Sequence, residues 1–225
     1  MIPSIIRNLI QAEQVAIELF REIEHRNLII SDKDEATLNE EIYQLAKLNF
    51  GIEKHWHKRV VRCGQNTLKI YHENPPNLII QEEDILFFDF GPIIDIWEAD
   101  LGRTFVVGNN PKHLKIKNEI EQAWLETKDW VLQQKELKAS KLYLFVQEKA
   151  KEFGWEFGGS IAGHIIGMFP HEKLDPENFK FYIHPENHLD IFQLNKHWIL
   201  EMHFIDKEQQ FGAFYEQLML WPTKF

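Results

Sequence analysis

The sequence has little cysteine and no long apolar run. Its single cysteine, Cys63, excludes an intrachain disulfide and gives no support for secretion. No apolar run reaches the roughly 18–20 residues that a membrane-spanning helix needs. The N-terminal sequence lacks a basic region followed by an uninterrupted apolar stretch, so it indicates an amphipathic helix and not a signal peptide. We therefore expect a cytoplasmic protein with no membrane partner.

The sequence also lacks any block of lysine and arginine, and its formal net charge is −10. Proteins bind phosphate backbones through concentrated basic surface, so we expect no nucleic acid partner. Apolar residues are plentiful: 44% of the 225 residues are hydrophobic and 13% are aromatic. A chain of this size and composition can bury a substantial core in one large domain or two small ones.

Helical patterns precede strand-like patterns twice along the chain. The predicted helices cover residues 4–25, 35–49, 112–134 and 137–153. The strand-like runs cover residues 55–63, 68–72, 85–90, 97–107, 161–169, 198–205 and 217–221. This order predicts an α+β fold with a repeated arrangement, and no segment resembles a linker. We expect one domain over residues 1–225, with residues 1–50 forming a helical segment packed on it.

Five residues that can bind metal ions lie in apolar, strand-like sequence: Asp89, Asp100, His164, Glu201 and Glu216. A single histidine or glutamate in such a setting is more often an ordinary core or surface residue. An unpaired buried carboxylate is costly, however, and should pair, protonate or bind a metal ion. Together, four carboxylates and one imidazole suit two divalent ions such as Mn, Co, Fe or Zn. The four negative charges would also balance two divalent cations.

These residues, in this order, resemble the ligands of the pita-bread metallopeptidases, which include methionine aminopeptidase, aminopeptidase P and prolidase. Asp89 and Asp100 are 11 residues apart (100 − 89), with the family's D-x-G start and R-T-F-x-V-G continuation. Residues 163–167 resemble its G-H-x-x-G motif, and the glutamate motifs match residues 199–201 and 213–216. The resemblance covers about residues 55–220 and implies two helix-then-strand halves around a curved, mostly antiparallel sheet.

The resemblance also implies a role for each ligand. Asp100 and Glu216 would bridge two divalent ions, with Asp89 completing one ion and His164 and Glu201 the other. A metal-bridged hydroxide would be the nucleophile, because paired cations lower the pKa of bound water. Glu201 would accept its proton as a general base.

Two further histidines match catalytic positions of the family. His171 lies 7 residues after His164 (171 − 164), and His72 lies 17 residues before Asp89 (89 − 72). The resemblance implies that both donate hydrogen bonds to the scissile carbonyl and to the tetrahedral intermediate that develops from it.

The activity implied is hydrolysis of the N-terminal bond of short peptides. The stretch from Asp89 to Thr104 is closer to the proline peptidases, so the Xaa-Pro aminopeptidase or dipeptidase type is favoured. The chain departs from the family pattern at two positions. Ser160 stands where proline peptidases carry a histidine, and His203 follows Glu201 by two residues where a glutamate-proline pair is common. The alternatives are a methionine aminopeptidase, a metal-dependent hydrolase of a non-peptide molecule, and a catalytically dead binding protein. A homodimer is expected by family analogy alone.

One more pair of histidines has no assigned role. His55 and His57 are predicted to lie on a strand with both rings on one face. The pair could form an extra metal site, line the substrate cleft beside Lys58 and Arg59, or simply face solvent.

Overall fold

The computed structural model describes residues 4–171 and 179–220. Its first two helices, α1 (Ser4–His25) and α2 (Glu35–Phe50), have the predicted boundaries to within one residue. The Asp34 side chain accepts a hydrogen bond from the Thr37 N–H and caps α2, which ends at Gly51 in the left-handed conformation. No helix among the described residues is long and apolar enough to cross a membrane.

The first half of the chain contributes the strands β1 (Val60–Cys63), β2 (Ile85–Phe90), β3 (Ile93–Ile94), β4 (Trp97–Glu98) and β5 (Leu101–Val106). The prediction of a strand over residues 68–72 was wrong. Residues 64–68 form a 3-10 helix and a turn follows, because Gly64 has a φ of +51° and turns the chain out of the sheet. The predicted strand over residues 55–63 begins only at Val60.

The second half contains the helices α3 (Pro111–Leu132) and α4 (Ala139–Glu152) and the strands β6 (Glu156–Phe157), β7 (Ile165–Ile166), β8 (His197–Asp206) and β9 (Phe211–Met219). Within the predicted run 161–169, only β7 is a strand. Gly163, with a φ of +140°, interrupts the extended conformation before β7 begins. Residues 217–219 of the predicted run 217–221 belong to the longer strand β9, which starts at Phe211 and pairs with β8, and Trp221 lies outside the described residues.

Seven of the strands form one large antiparallel sheet in the order β1-β2-β5-β9-β8-β6, with β7 also paired to β8, while β3 and β4 pair with each other in a separate two-stranded sheet. Side chains alternate between its two faces. On one face, Phe88 and Phe90 pack with α1 and α2, while Leu200, Met202 and Tyr215 pack with α3 and α4. Asp89, Glu201 and Glu216 alternate with these residues along the same strands and lie on the other face of the sheet. That second face carries the candidate site.

Candidate metal centre

Three predicted ligands lie in one row across neighbouring strands. Asp89 on β2 is opposite Gly102 on β5, Gly102 is opposite Glu216 on β9, and Glu216 is opposite Glu201 on β8. Gly102 gives the row its close spacing. A Cβ at this position would lie 2.5 Å from the Phe214 ring and 2.9 Å from the Glu216 Cβ. The antiparallel register therefore gathers three carboxylates from distant parts of the chain.

The other two predicted ligands come from the ends of strands. Asp100 immediately precedes β5 and is 2% exposed, and His164 immediately precedes β7. The His164 Nε2 lies 3.2 Å from an Asp100 oxygen and 3.6 Å from a Glu216 oxygen. Its Nδ1 lies 2.9 Å from the Ile165 carbonyl. All five predicted ligands line the same cavity.

His57 joins this group, although its sequence pattern alone did not assign it there. Its Nε2 lies 3.1 Å from Asp100 Oδ1 and 3.5 Å from Asp89 Oδ1. The expectation that His55 and His57 share a strand face was wrong, because residues 55–59 lie outside any strand. His55 instead forms an isolated bridge with Pro92, and burial lowers its pKa to about 4. The H-x-H spacing was the one sequence signal for His57.

The carboxylates of this row are crowded and shielded from water. Burial, with the charges of Asp100 and Asp89, raises the pKa of Glu216 well above its usual range. Burial also raises the pKa of Glu201 to about 8 and that of Asp89 to about 6. The pKa of Asp100 is lowered despite its burial, because His57 and His164 both lie against it. Negative charges held this close are the setting in which a divalent cation is most favourable.

The donor atoms are arranged as two overlapping groups. In each group the ligand atoms all lie within 4.8 Å of one another: His57, Asp89 and Asp100 form one, and Asp100, His164 and Glu216 form the other. Asp100 belongs to both. Carboxylate oxygens and imidazole nitrogens are ligands that Mn, Fe, Co and Zn accept. The residues present therefore fit divalent metal ions.

The predicted catalytic histidine His171 lies beside this group and is held by Glu98. The His171 Nδ1 lies 2.5 Å from a Glu98 oxygen, and Glu98 also accepts hydrogen bonds from the backbone N–H groups of His171 and Gly167. Glu98 is 1% exposed. The Trp56 ring lies 5.2 Å from that of His171 and 5.4 Å from that of His164. Sequence reasoning missed Glu98, whose only signal was its place two residues before Asp100.

His72 and His203 have different surroundings. His72 is exposed and lines the cavity, and the ring of the adjacent Tyr71 is centred 5.7 Å from the His57 ring. The catalytic role of His72 stays a prediction. His203 is buried. Its Nε2 lies 2.7 Å from the Thr67 carbonyl oxygen and can donate a hydrogen bond to it. Burial lowers the pKa of His203 to about 4, which favours the neutral ring.

The cavity above the row has a volume of about 500 Å³. This volume falls within the range typical of small-ligand sites. The candidate ligands form one part of its wall. Much of the rest is aromatic: Trp56, Tyr71, Phe87, Phe169, Tyr182 and Phe214.

The fold and the donor set together define an α+β protein with a carboxylate-rich candidate metal site in a cleft. Residues 7–221 match the model of metallopeptidase family M24. The chain belongs to metallopeptidase family M24. This membership confirms the predicted pita-bread family.

Solved structures with the same fold include proline peptidases. The prolidase of Thermococcus sibiricus has a TM-score of 0.74 and 21% identity over 97% of this chain. The X-Pro aminopeptidase of Thermotoga maritima has a TM-score of 0.75 and 20% identity over 96% of it. A methionine aminopeptidase of Thermotoga maritima has a TM-score of 0.71 and 15% identity over 97% of it. These likenesses confirm the predicted fold.

The chain spans only part of several relatives. It covers 57% of the Thermococcus prolidase and 58% of the X-Pro aminopeptidase, but 93% of the methionine aminopeptidase. A candidate Xaa-Pro aminopeptidase of Mycoplasma genitalium is 37% identical over 57 residues, which is 16% of that protein's length.

Proposed function

We propose that this chain is a peptide hydrolase that uses two divalent metal ions to cleave the N-terminal bond of short peptides. The observation that carries the proposal is the pair of donor groups that share Asp100. A carboxylate common to two groups, with Glu201 opposite Glu216 at the end of the row, suits two adjacent ions. The matched family is one of metallopeptidases.

The roles of the chain's own residues follow from their positions. Asp100 would hold both ions, while Asp89, His164, Glu201 and Glu216 complete their coordination. When bound, the ions supply Lewis acidity and bring the pKa of a coordinated water towards neutrality. Glu201 is half-buried at the edge of the row and would accept the proton of the attacking water.

His171 is placed to act on the substrate and not on the ions. Its Nδ1 is engaged by Glu98, so its Nε2 is the ring nitrogen left to meet a scissile carbonyl. Glu98 fixes the ring orientation through three contacts with the segment 167–171. We assign Glu98 as a positioning residue because its carboxylate contacts the His171 ring and the backbone N–H groups of His171 and Gly167.

The Xaa-Pro aminopeptidase or dipeptidase type is the preferred specificity. The aromatic wall of the cavity offers flat apolar surface for a prolyl ring. Proline peptidases are also prominent among the proteins that this chain resembles. A methionine aminopeptidase is the second candidate, because one such enzyme matches this chain over 93% of its own length. Against it, Cys63 is buried and does not line the cavity, so it offers no thiol to a methionine side chain.

A peptide panel tests the proposal. Protein loaded with Mn or Co would be incubated with Xaa-Pro dipeptides, Xaa-Pro-Xaa tripeptides, Met-Xaa-Xaa peptides and N-acetylated versions of each. We expect cleavage of the proline-containing peptides, resistance of the acetylated forms, and no cleavage by Asp100→Ala. The relative rates on dipeptides and tripeptides distinguish a dipeptidase from an aminopeptidase. Preferred cleavage of the methionyl peptides would favour the second candidate, and a fully loaded protein that cleaves no peptide would overturn the proposal.

A further inference from the structure

We propose that His57 is a sixth metal ligand, so that each of the two ions has one imidazole. This inference rests on the proposed dinuclear centre and adds a residue to the five ligands that the family resemblance implies. His57 would coordinate the ion that Asp89 and Asp100 hold. His164 would coordinate the other.

The two histidines approach Asp100 in matching ways. The His57 Nε2 lies 3.1 Å from Asp100 Oδ1, and the His164 Nε2 lies 3.2 Å from Asp100 Oδ2. In each case the Nδ1 faces the carbonyl of the next residue, at 2.7 Å for His57 and 2.9 Å for His164. A carbonyl only accepts hydrogen bonds, so each Nδ1 carries the hydrogen. With Nδ1 engaged by that carbonyl, Nε2 is the nitrogen of each ring that faces the carboxylates, and it is the atom that would bind a metal ion in place of its proton.

The segment that carries His57 is anchored to the residues beside both aspartates. The Trp56 N–H donates to the Gly91 carbonyl at 2.9 Å, and the Trp56 Nε1–H donates to the Ala99 carbonyl at 3.0 Å. Gly91 lies two residues after Asp89, and Ala99 immediately precedes Asp100. Two directed hydrogen bonds thus fix this segment relative to both carboxylates.

The position of the His57 ring also requires a glycine at residue 91. A Cβ at Gly91 would lie 2.2 Å from His57 Cδ2 and 2.3 Å from His57 Nε2, distances that real Cβ contacts do not show. Only 8% of the His57 side chain is exposed, so the ring fills a space closed to solvent. Supporting groups that fix a ring in one orientation are the usual surroundings of a metal-binding histidine.

A simple ion pair between His57 and Asp100 makes the opposite prediction for metal affinity. If His57 served only as a cation for the two aspartates, it would compete with the metal, and its removal would leave the affinity equal or higher. If His57 is a ligand, its removal takes one donor from one ion. Loss of groups that support a metal ligand typically weakens binding by about 10–100-fold, and loss of a ligand should weaken it at least as much.

Metal titration of the variants separates these cases. Protein stripped by chelation would be titrated with Co²⁺ and with Mn²⁺, followed by calorimetry and, for cobalt, by visible absorption. We expect two ions in the parent protein, and in His57→Ala one ion held as before and one held more than about 10-fold more weakly. His55→Ala is the matched control, because His55 lies two residues away and outside both donor groups. Parental affinity for both ions in a folded His57→Ala protein would overturn the inference.

A measurement on the parent protein covers the case in which His57→Ala does not fold. In Co²⁺-loaded protein with ¹⁵N-labelled histidine, the Nδ1–H protons of coordinated rings give strongly shifted NMR signals. Two such signals are expected, from His57 and His164. A single signal at full cobalt loading would contradict the inference.

Failure of this inference and failure of the proposed function have different signatures. If the parent binds two ions and cleaves no peptide, the proposed function fails while His57 is still judged by the titration. If the parent binds two ions, cleaves peptides and shows one shifted histidine signal, His57 alone is wrong. If no Co²⁺ or Mn²⁺ binds, both are wrong.

Discussion

Glu201 and Glu216 lie directly opposite each other on the antiparallel strands β8 and β9. Like charges in this relationship destabilise a strand pair, and here both side chains face a cleft with limited access to water. Two histidines and two more carboxylates surround them. The arrangement is unfavourable in the protein alone and becomes favourable once divalent cations balance the charge.

Metal ions should stabilise the fold measurably. An ion that binds only the folded state adds about 2.7 kcal/mol to the free energy of unfolding at a hundred times its Kd, or roughly 5–11 °C in Tm for a chain of this size. Thermal unfolding with EDTA and with excess Mn²⁺ or Co²⁺ checks this expectation. Asp100→Ala should remove most of the difference, since Asp100 belongs to both donor groups. An equal shift in that variant would mean that the ions bind elsewhere.

The chelated protein should lose stability as the pH rises. Burial raises the pKa of Glu201 to about 8, above its value of 4.5 in an unfolded chain. The stability linked to this proton is therefore fully present below about pH 4.5 and is lost as the pH approaches 8. His57 acts in the same direction, because Asp89 and Asp100 outweigh its burial and raise its pKa to about 9. Tm measured in EDTA between pH 7 and pH 9 should fall, and Glu201→Gln should flatten the curve. A parent Tm that rises over this range would contradict the assignment.

Glu98→Gln should slow catalysis without loss of metal. The substitution removes the charged partner of the His171 Nδ1, so the ring loses its fixed orientation. We expect kcat to fall by up to about 10²-fold, with unchanged metal content and a changed pH profile. Asp95→Asn is the matched control, since Asp95 is an exposed carboxylate of the same segment. In a His171→Gln background, Glu98→Gln should add little, and fully additive losses would show that the two residues act independently.

Gly102→Ala should disrupt the ligand row. The added Cβ would meet the Phe214 ring and the Glu216 Cβ at distances that force a shift. We expect a loss of about 1–3 kcal/mol in the free energy of unfolding, together with weaker metal binding. Gly167→Ala is the comparison for stability, because its nearest contact would be an ordinary 3.6 Å. Equal stability of the two variants, measured by urea unfolding, would show that the row tolerates a side chain at residue 102.

Much of the fold was predictable because its elements have strong local signals. The periodic apolar faces of α1 to α4 fixed those helices to within a few residues, and apolar runs located β2 and β8. Residues 68–72 were misassigned because alternation alone does not reveal whether a partner strand is available. Short strands such as β7 depend on pairing that only the assembled sheet supplies.

The site was predictable where charged residues interrupt apolar strands. Asp89 stands out between Phe88 and Phe90, and Glu216 stands out at the end of the apolar run 213–215. His57 and Glu98 do not stand out, since their roles depend on contacts made across the fold. The hydrogen bonds of Trp56 and the absence of a side chain at Gly91 fix the position of His57. No local sequence pattern reveals these long-range contacts.

The metal content of the purified protein shows whether the chain binds two divalent ions at the site that contains Asp100. Elemental analysis after incubation with Mn²⁺ or Co²⁺ and removal of free ion, beside Asp100→Ala, gives the stoichiometry without assuming a substrate. We expect two ions per chain in the parent protein and none in the variant. No retained metal in the folded parent, or equal retention in the variant, would rule out a dinuclear site that depends on Asp100.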